Sequence, residues 1–416
     1  MDTKRLKIAG LIAMALVLTV TLTACDSGGV PGETTPDEAT VESIGNLEDI
    51  TVSYGLEGSN VLEELRSKRG EVEVSLSDGS TATGKVAWDQ VPNNFDGTKA
   101  GEAYNFEGDV TYDGKVLGNK VFVAVTIAEK LEPVEEWVFD NDHVSSVAVD
   151  EEGYVYSGSG GSEDHIVRKI SSDGTEIWKF QQFSGIKGFN SVAVDNEGYV
   201  YSGGYDGIVR KINPTGAEIW KFDGHNHSVA SVVVDNEGFV YSGSLDSFVR
   251  KISPAGDEIW NFQGHGPKIV TNVAVDNEGY VYSGGVDDTV RKISPEGNEI
   301  WEFDKHSETV RNVVVDNDGF VYSAGEDATI RKISPEGEEV WKFEGYNQTV
   351  TSLAVDDEGY IYSGSEDNSL RKISPGGQEV WKFEKHPKSI IDVEVDSEGN
   401  VYTGSADNTV RKIRQE

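Results

Sequence analysis

The chain has 416 residues, with 73 acidic against 36 basic side chains and a formal charge of −37. That length calls for several domains or a repeat array, and that charge excludes a nucleic-acid partner and unaided adhesion to anionic lipid. A single cysteine excludes an intrachain disulfide and a thiolate metal cluster.

Residues 1–24 read as a secretory signal, with Lys4, Arg5 and Lys7 ahead of an apolar run from Ile8 to Thr21 that is short for a membrane span. The run ends in Leu22-Thr23-Ala24-Cys25, which resembles the lipobox of bacterial lipoproteins. The resemblance implies that Cys25 carries a diacylglyceryl group and becomes the first residue of an exported, lipid-anchored chain. Residues 25–46 are small, polar and acidic, and read as a tether; about 20 flexible residues reach roughly 25 Å.

Residues 47–130 alternate like short strands, as in Glu71-Val72-Glu73-Val74-Ser75-Leu76 and Val121-Phe122-Val123-Ala124-Val125, and are predicted to form a β-sandwich. The strings LSDGSTATGKVAWD and AGEAYNFEGDV resemble bacterial Ig-like domains, which implies a spacer or adhesion module. Trp88 is expected in its core, and Arg66-Ser67-Lys68-Arg69 in a solvated loop.

Residues 134–416 repeat. Trp recurs at 137, 178, 220, 260, 301, 341 and 381, at intervals of 40–42 residues. Each unit carries a D-x-x-G turn (Asp150/Gly153 in the first, Asp396/Gly399 in the last) and a basic strand such as Val249-Arg250-Lys251-Ile252. Four short strands in about 40 residues is the period of a propeller blade. The chain stops three strands into the last unit and opens the array with an orphan strand. Residues 135–139 are therefore expected to close the last blade, leaving no open edge. The predicted fold class is all-β: a seven-bladed β-propeller preceded by a small Ig-like β-sandwich.

Gly224-His225, Ser242-Gly243-Ser244 and Asp246 before Val249-Arg250 sit at the spacing of WD40 repeats, which the unit resembles, although Ile252 stands where that family has its second Trp. The G-x-E-x-W ending and the VYSGS strand are similar to the PQQ-like propeller repeat. These resemblances imply the fold far more strongly than any function. A PQQ dehydrogenase is disfavoured, because such enzymes typically carry a vicinal cysteine pair. No cofactor, metal site or catalytic constellation is predicted, and the chain reads as a binding protein, not an enzyme.

The recurrent Trp residues are expected to pack between sheets. Arg168, Arg210, Arg250, Arg291, Arg331, Arg371 and Arg411 each follow an Asp by four residues and are expected to form one polar network per unit. His225, His265, His306 and His386 hold equivalent loop positions and are expected to brace loops. The turns are nearly constant between copies, whereas the loops after the Trp strands and the SGSxD loops vary; in a propeller both share one face. Phe183, Phe189, Tyr205, Phe248 and Tyr346 are therefore predicted to form a partner-binding patch on that face. The expected role is a protein-interaction scaffold at the cell envelope, touching the membrane only through its N-terminal lipid. The alternatives are a glycan or small-ligand binder on the aromatic loops, or an envelope-assembly factor resembling the PQQ-like lipoprotein of outer-membrane protein assembly.

Overall fold

The computed structural model describes residues 41–44, 47, 50–52, 62, 65–66, 69, 71–76, 81–88, 90–92, 95, 103–112, 115–127, 133–141, 143–160, 165–181 and 188–415. Cys25 with its lipobox, and Phe183 with its loop, lie outside the described residues.

Val72, Val74, Val86, Tyr104, Phe106, Val121, Val123 and Val125 are buried and alternate with more accessible neighbours, the period-two pattern of a sheet with one covered face. They lie on β3 (Glu71–Leu76), β4 (Thr81–Ala87), β5 (Ala103–Tyr112) and β6 (Lys115–Ile127), with β1 (Val41–Ile44) and β2 (Ile50–Val52) at the edges. The six strands form one sheet in the order β1-β3-β4-β5-β6-β2, in which only β2 pairs in parallel. This corrects the predicted sandwich: among the described residues there is no second, facing sheet. Leu62 and Leu65, in helical conformation, join the core on the apolar face instead. Trp88 is fully buried, and its indole donates to the Arg69 carbonyl at 2.8 Å. Arg66 in turn donates to the Trp88 carbonyl at 2.8 Å. Of the basic cluster, Arg66 and the Arg69 backbone thus clasp the core tryptophan, while Arg66 stays exposed; Ser67 and Lys68 lie outside the described residues.

From residue 133 onward the repeats form, among the described residues, seven four-stranded antiparallel sheets. The third shows why. Val240–Ser244, its second strand, is buried at every residue, the signature of a strand covered on both faces. Glu258–Phe262, its fourth, is exposed at Glu258, Ile259 and Asn261, as an outer strand should be. At the turn, Asp235 Oδ1 accepts the Glu237 and Phe239 N–H groups, and Oδ2 accepts the Tyr241 hydroxyl at 2.9 Å. Burial and the Asp235 charge push that phenol far above its ordinary pKa.

Neighbouring sheets are joined at two radii. On the outside, Trp260 Nε1 donates to the Pro295 carbonyl of the next unit at 2.9 Å, and the indole covers the following turn. Gly297 is required there twice over: its φ is +87°, and a Cβ would come within 3.0 Å of the Trp260 ring. On the inside, each first strand offers one polar side chain to a backbone N–H of the next. Ser146 accepts from Val192, Ser191 from Val232, Ser231 from Val273, Asn272 from Val313, Asn312 from Leu353 and Ser352 from Val393, at 3.0–3.3 Å. Asp392 then accepts from Val147 at 2.9 Å, linking the last sheet to the first. These strands surround one channel of about 330 Å³.

The last sheet is assembled from both ends of the array. β7 (Pro133–Asp140) pairs antiparallel with Thr409–Gln415 and supplies its fourth strand. At this seam the Gln415 side chain takes the place that the following turn holds in the other units. Its side chain receives the Trp381 indole at 3.4 Å and the Lys372 ammonium at 2.9 Å, and donates to Tyr362 and the Gly399 carbonyl at 2.8 Å each.

Candidate functional site

Each inner strand runs from a loop face to the face that carries the D-x-x-G turns. On the loop face, the second-to-third-strand turn is built by an Asp, and the arginine four residues later reaches back to it. Arg250 contacts Asp246 at 2.9 Å and also Glu258 on the fourth strand at 3.0 Å. The same pairing recurs at Arg210, Arg291, Arg331, Arg371 and Arg411, and at the seam the eighth-residue glutamate is replaced by Glu135 of β7, 2.8 Å from Arg411. The arginines are therefore tied between turn and outer strand, and none of them lines the channel. The glutamate partners went unforeseen in the sequence, although each stands at a fixed eight-residue interval within a unit.

Inward of this pair lies a loop-bracing slot. His225 meets Asp246 through Nδ1 at 3.0 Å and Ser242 through Nε2 at 2.8 Å. His265 and His306 do the same with Asp287 and Ser283 and with Asp327 and Ser323. The network forms although Ile252 replaces the WD40 tryptophan, because Arg250 binds the shared aspartate. The imidazole partner also holds Asp287 low, at about 2, against the opposing effect of burial. His386 packs on the Phe383 ring and hydrogen-bonds through Nε2 to Thr403 at 3.2 Å, while its Nδ1 has no hydrogen-bond partner. Burial and the Arg411 charge depress its pKa to about 4.

This slot corrects the predicted patch. Tyr346 occupies the histidine's place in its unit: it is buried, its hydroxyl bonds Ser363, and Arg371 lies 4.3 Å from its ring centroid. Phe189 is also core, with 0% exposure. The strand begins at Phe189, which stands where the other units have Val144, Val229, Val270, Val310, Val350 and Ile390, and it packs on Phe180. Phe248 is half-buried, with Arg250 at 4.7 Å from its ring. Tyr205 alone of the described four is open to solvent, at 45%.

What the loop face does offer is the channel mouth. A cavity of about 480 Å³ is lined on one side by Ala230, Leu245, Ile269, Thr271 and Val286, and on the other by Thr349, Thr351, Glu366, Ser389 and Ile391. Arg311 stands between the two arcs, paired with Glu326. The residue after the second strand varies from unit to unit (Tyr205, Leu245, Val286, Glu326, Glu366), and of these Leu245, Val286 and Glu366 line the mouth. That position varies inside an otherwise constant turn, a signal available from aligning the repeats against one another. Ile269, Val286 and Ile391 were not singled out in the sequence.

A family model described as outer membrane protein assembly factor BamB matches residues 163–275, 245–353 and 326–416. Among solved structures, the WD40 β-propeller domain of Doa1 is similar, at 24% identity and a TM-score of 0.62, covering 69% of this chain and 98% of that one. At that identity the likeness shows the propeller fold alone. No curated protein matches the chain.

Proposed function

The chain belongs to the family described as outer membrane protein assembly factor BamB, and from that membership we propose that it is an exported, lipid-anchored protein whose seven-bladed propeller docks partner proteins at the cell envelope. Closure as seven blades is supported by the bond from Val147 to Asp392 and by the pairing of β7 with the C-terminal strand. Export and anchoring rest on the lipobox at Cys25; the tether expected over residues 25–46 ends sooner, because Val41–Ile44 form β1 and pair with β3, and residues 25–40 lie outside the described residues.

The observation that carries the docking role is the contrast between the two faces. The turn face repeats one acidic motif in every unit, whereas the loop face breaks its repeat at the residues that line an apolar, half-buried mouth. Apolar groups grouped on so acidic a protein are costly unless they meet something. A rigid ring that varies only in its loops is a scaffold for recognition. We assign Tyr205, Leu245, Ile269 and Val286 as the contact patch, with Glu366 offering a charge to a basic partner residue. Binding rather than catalysis is supported by the arginines and histidines of this face, which are engaged in bracing the loops.

Site-specific photocrosslinking in the native envelope tests this. A crosslinker at Leu245 is expected to trap one discrete partner, and one at Glu237 on the turn face none. Equal trapping from both faces defeats the assignment. In parallel, Cys25→Ala is expected to move the protein into the aqueous phase of a detergent partition.

A further inference from the structure

The channel contains one side chain that the repeat does not explain. Glu394 lies on the last inner strand, at a position where the other six carry Ala148, Ala193, Val233, Ala274, Val314 and Ala354. It lines the channel and has no hydrogen-bond partner, while the carboxylate two residues before it is fully engaged. Asp392 accepts from Val147 and Val393 and from the Ser352 hydroxyl at 2.7 Å. Burial and the Asp392 charge push the Glu394 carboxyl well above the usual carboxylate range. Glu394 is half-buried, so its carboxyl faces the channel while no protein donor meets it, and an acid set there at the expense of the apolar residue of the other units has no structural return.

The surroundings define what would relieve that cost. None of the residues lining the channel is basic. Level with Glu394, Val233, Ala274, Val314 and Ala354 supply an apolar collar, and two residues further in the hydroxyl and amide ring from Ser146 to Asn312 supplies further oxygen atoms. Glu394 lies only two residues, about 7 Å of strand, from the turn at Asp396. At that mouth each D-x-x-G turn presents an exposed carboxylate, from Glu152 round to Glu398. The field therefore runs negative from the rim inward and concentrates cations at the entrance. A divalent metal is a poor fit, since among the described residues no three His, Cys, Asp or Glu side chains converge as ligands.

We infer that the channel is a binding site for an alkylammonium group, entering from the turn face with its methylenes along the Ala/Val collar and its N–H donors on Glu394, whose carboxyl gives up its proton to solvent as the cation enters. Both a small amine and a lysine side chain of a partner present this chemistry. The site is distinct from the docking mouth and lies at the opposite end of the channel.

The test is calorimetric titration of the intact protein with n-butylammonium, with n-butanol and Ca²⁺ as controls and a blocked lysine peptide as second ligand. Glu394→Ala restores the residue found in four other units, so its melt should equal or exceed that of wild type and its fold is not in question. Saturable binding of n-butylammonium, weakened about tenfold or more in Glu394→Ala, is expected. The peptide arm separates the sources: saturation by both ligands identifies a protein lysine, and saturation by butylammonium alone a small amine. Absence of saturation, equal binding by the variant, equal binding of butanol, or a preference for Ca²⁺ overturns the inference.

Discussion

An ordinary unit and the seam unit do the same job with different parts. In the third unit, Arg250 is held by Asp246 and by Glu258 eight residues later; in the last, Arg411 is held by Asp407 and by Glu135, 276 residues away in sequence. Trp260 donates to a proline carbonyl of the following turn, whereas Trp381 finds the side chain of Gln415. His225 is bonded at both nitrogens, whereas His386 leaves one buried nitrogen orphaned. The unit is thus defined by a set of contacts and not by chain continuity, and the seam is where that set is least complete. Every weakness of the ring should appear there first.

The largest effect should come from removing the borrowed strand. Deletion of residues 134–141 strips the last sheet of its fourth strand, exposes an edge and takes Glu135 from the buried Arg411, leaving it only Asp407 as a charge partner. Thermal melts and light scattering should show aggregation or a fall in Tm of more than about 10 °C, several times the shift of a typical point mutant; an unchanged melt would mean that β7 does not complete the ring. Next comes Phe189→Ser in the second unit, where a fully buried ring is removed from an ordinary blade. A loss of about 3–5 kcal/mol in denaturant unfolding is expected, against less than about 0.5 kcal/mol for the exposed Tyr205→Ser. Equal losses would contradict the separation of core from mouth.

The seam histidine gives a pH signature. Its folded pKa of about 4 lies below the value of an unfolded histidine, so between about 6.5 and 4 the unfolded chain binds the extra proton. Stability is therefore full above pH 6.5 and falls as the pH drops through that window, by up to about 3 kcal/mol for this group. His386→Tyr installs the residue that the preceding unit carries at the same slot, Tyr346, and should flatten that part of the profile. A variant as acid-sensitive as wild type would assign the loss to other groups, His225 among them, whose pKa burial also lowers. The smallest effect is at the latch. Gln415→Ala removes two donated bonds and two acceptances and should cost about 1–2 kcal/mol. Trp260→Phe in an ordinary unit, losing one half-exposed bond, should cost about 1 kcal/mol. If the order of these two reverses, Gln415 is not the substitute for the following turn.

Much of the architecture was legible because repetition makes local signals redundant. Asp235, Gly238, Tyr241 and Trp260 recur in phase, so the four-stranded unit and the inter-sheet role of the tryptophans could be read without coordinates. The candidate patch was less legible. Phe189 follows a long atypical loop and looks like part of it, yet register with Val229 makes it core. Tyr346 looks like a loop aromatic, yet it fills a histidine's slot. Both errors share a cause: exposure at a loop boundary depends on where the strand starts, and one residue of shift exchanges core for surface. The N-terminal sandwich failed for a related reason, since period-two alternation marks a half-covered strand but is silent on whether another sheet or Leu62 and Leu65 provide the cover.

The sequence by itself determined the repeat, its strands, its turns and the charge that sets which partners are repelled, because these depend on spacing and composition. Only the tertiary structure decided that Glu135 serves Arg411, that Gln415 replaces a turn, that Leu245, Ile269 and Val286 meet at one mouth, and that Glu394 stands unpaired in a channel shared by the inner strands. Each of these joins residues from distant parts of the chain, and their proximity is created by the curvature of packed sheets, which no local pattern encodes.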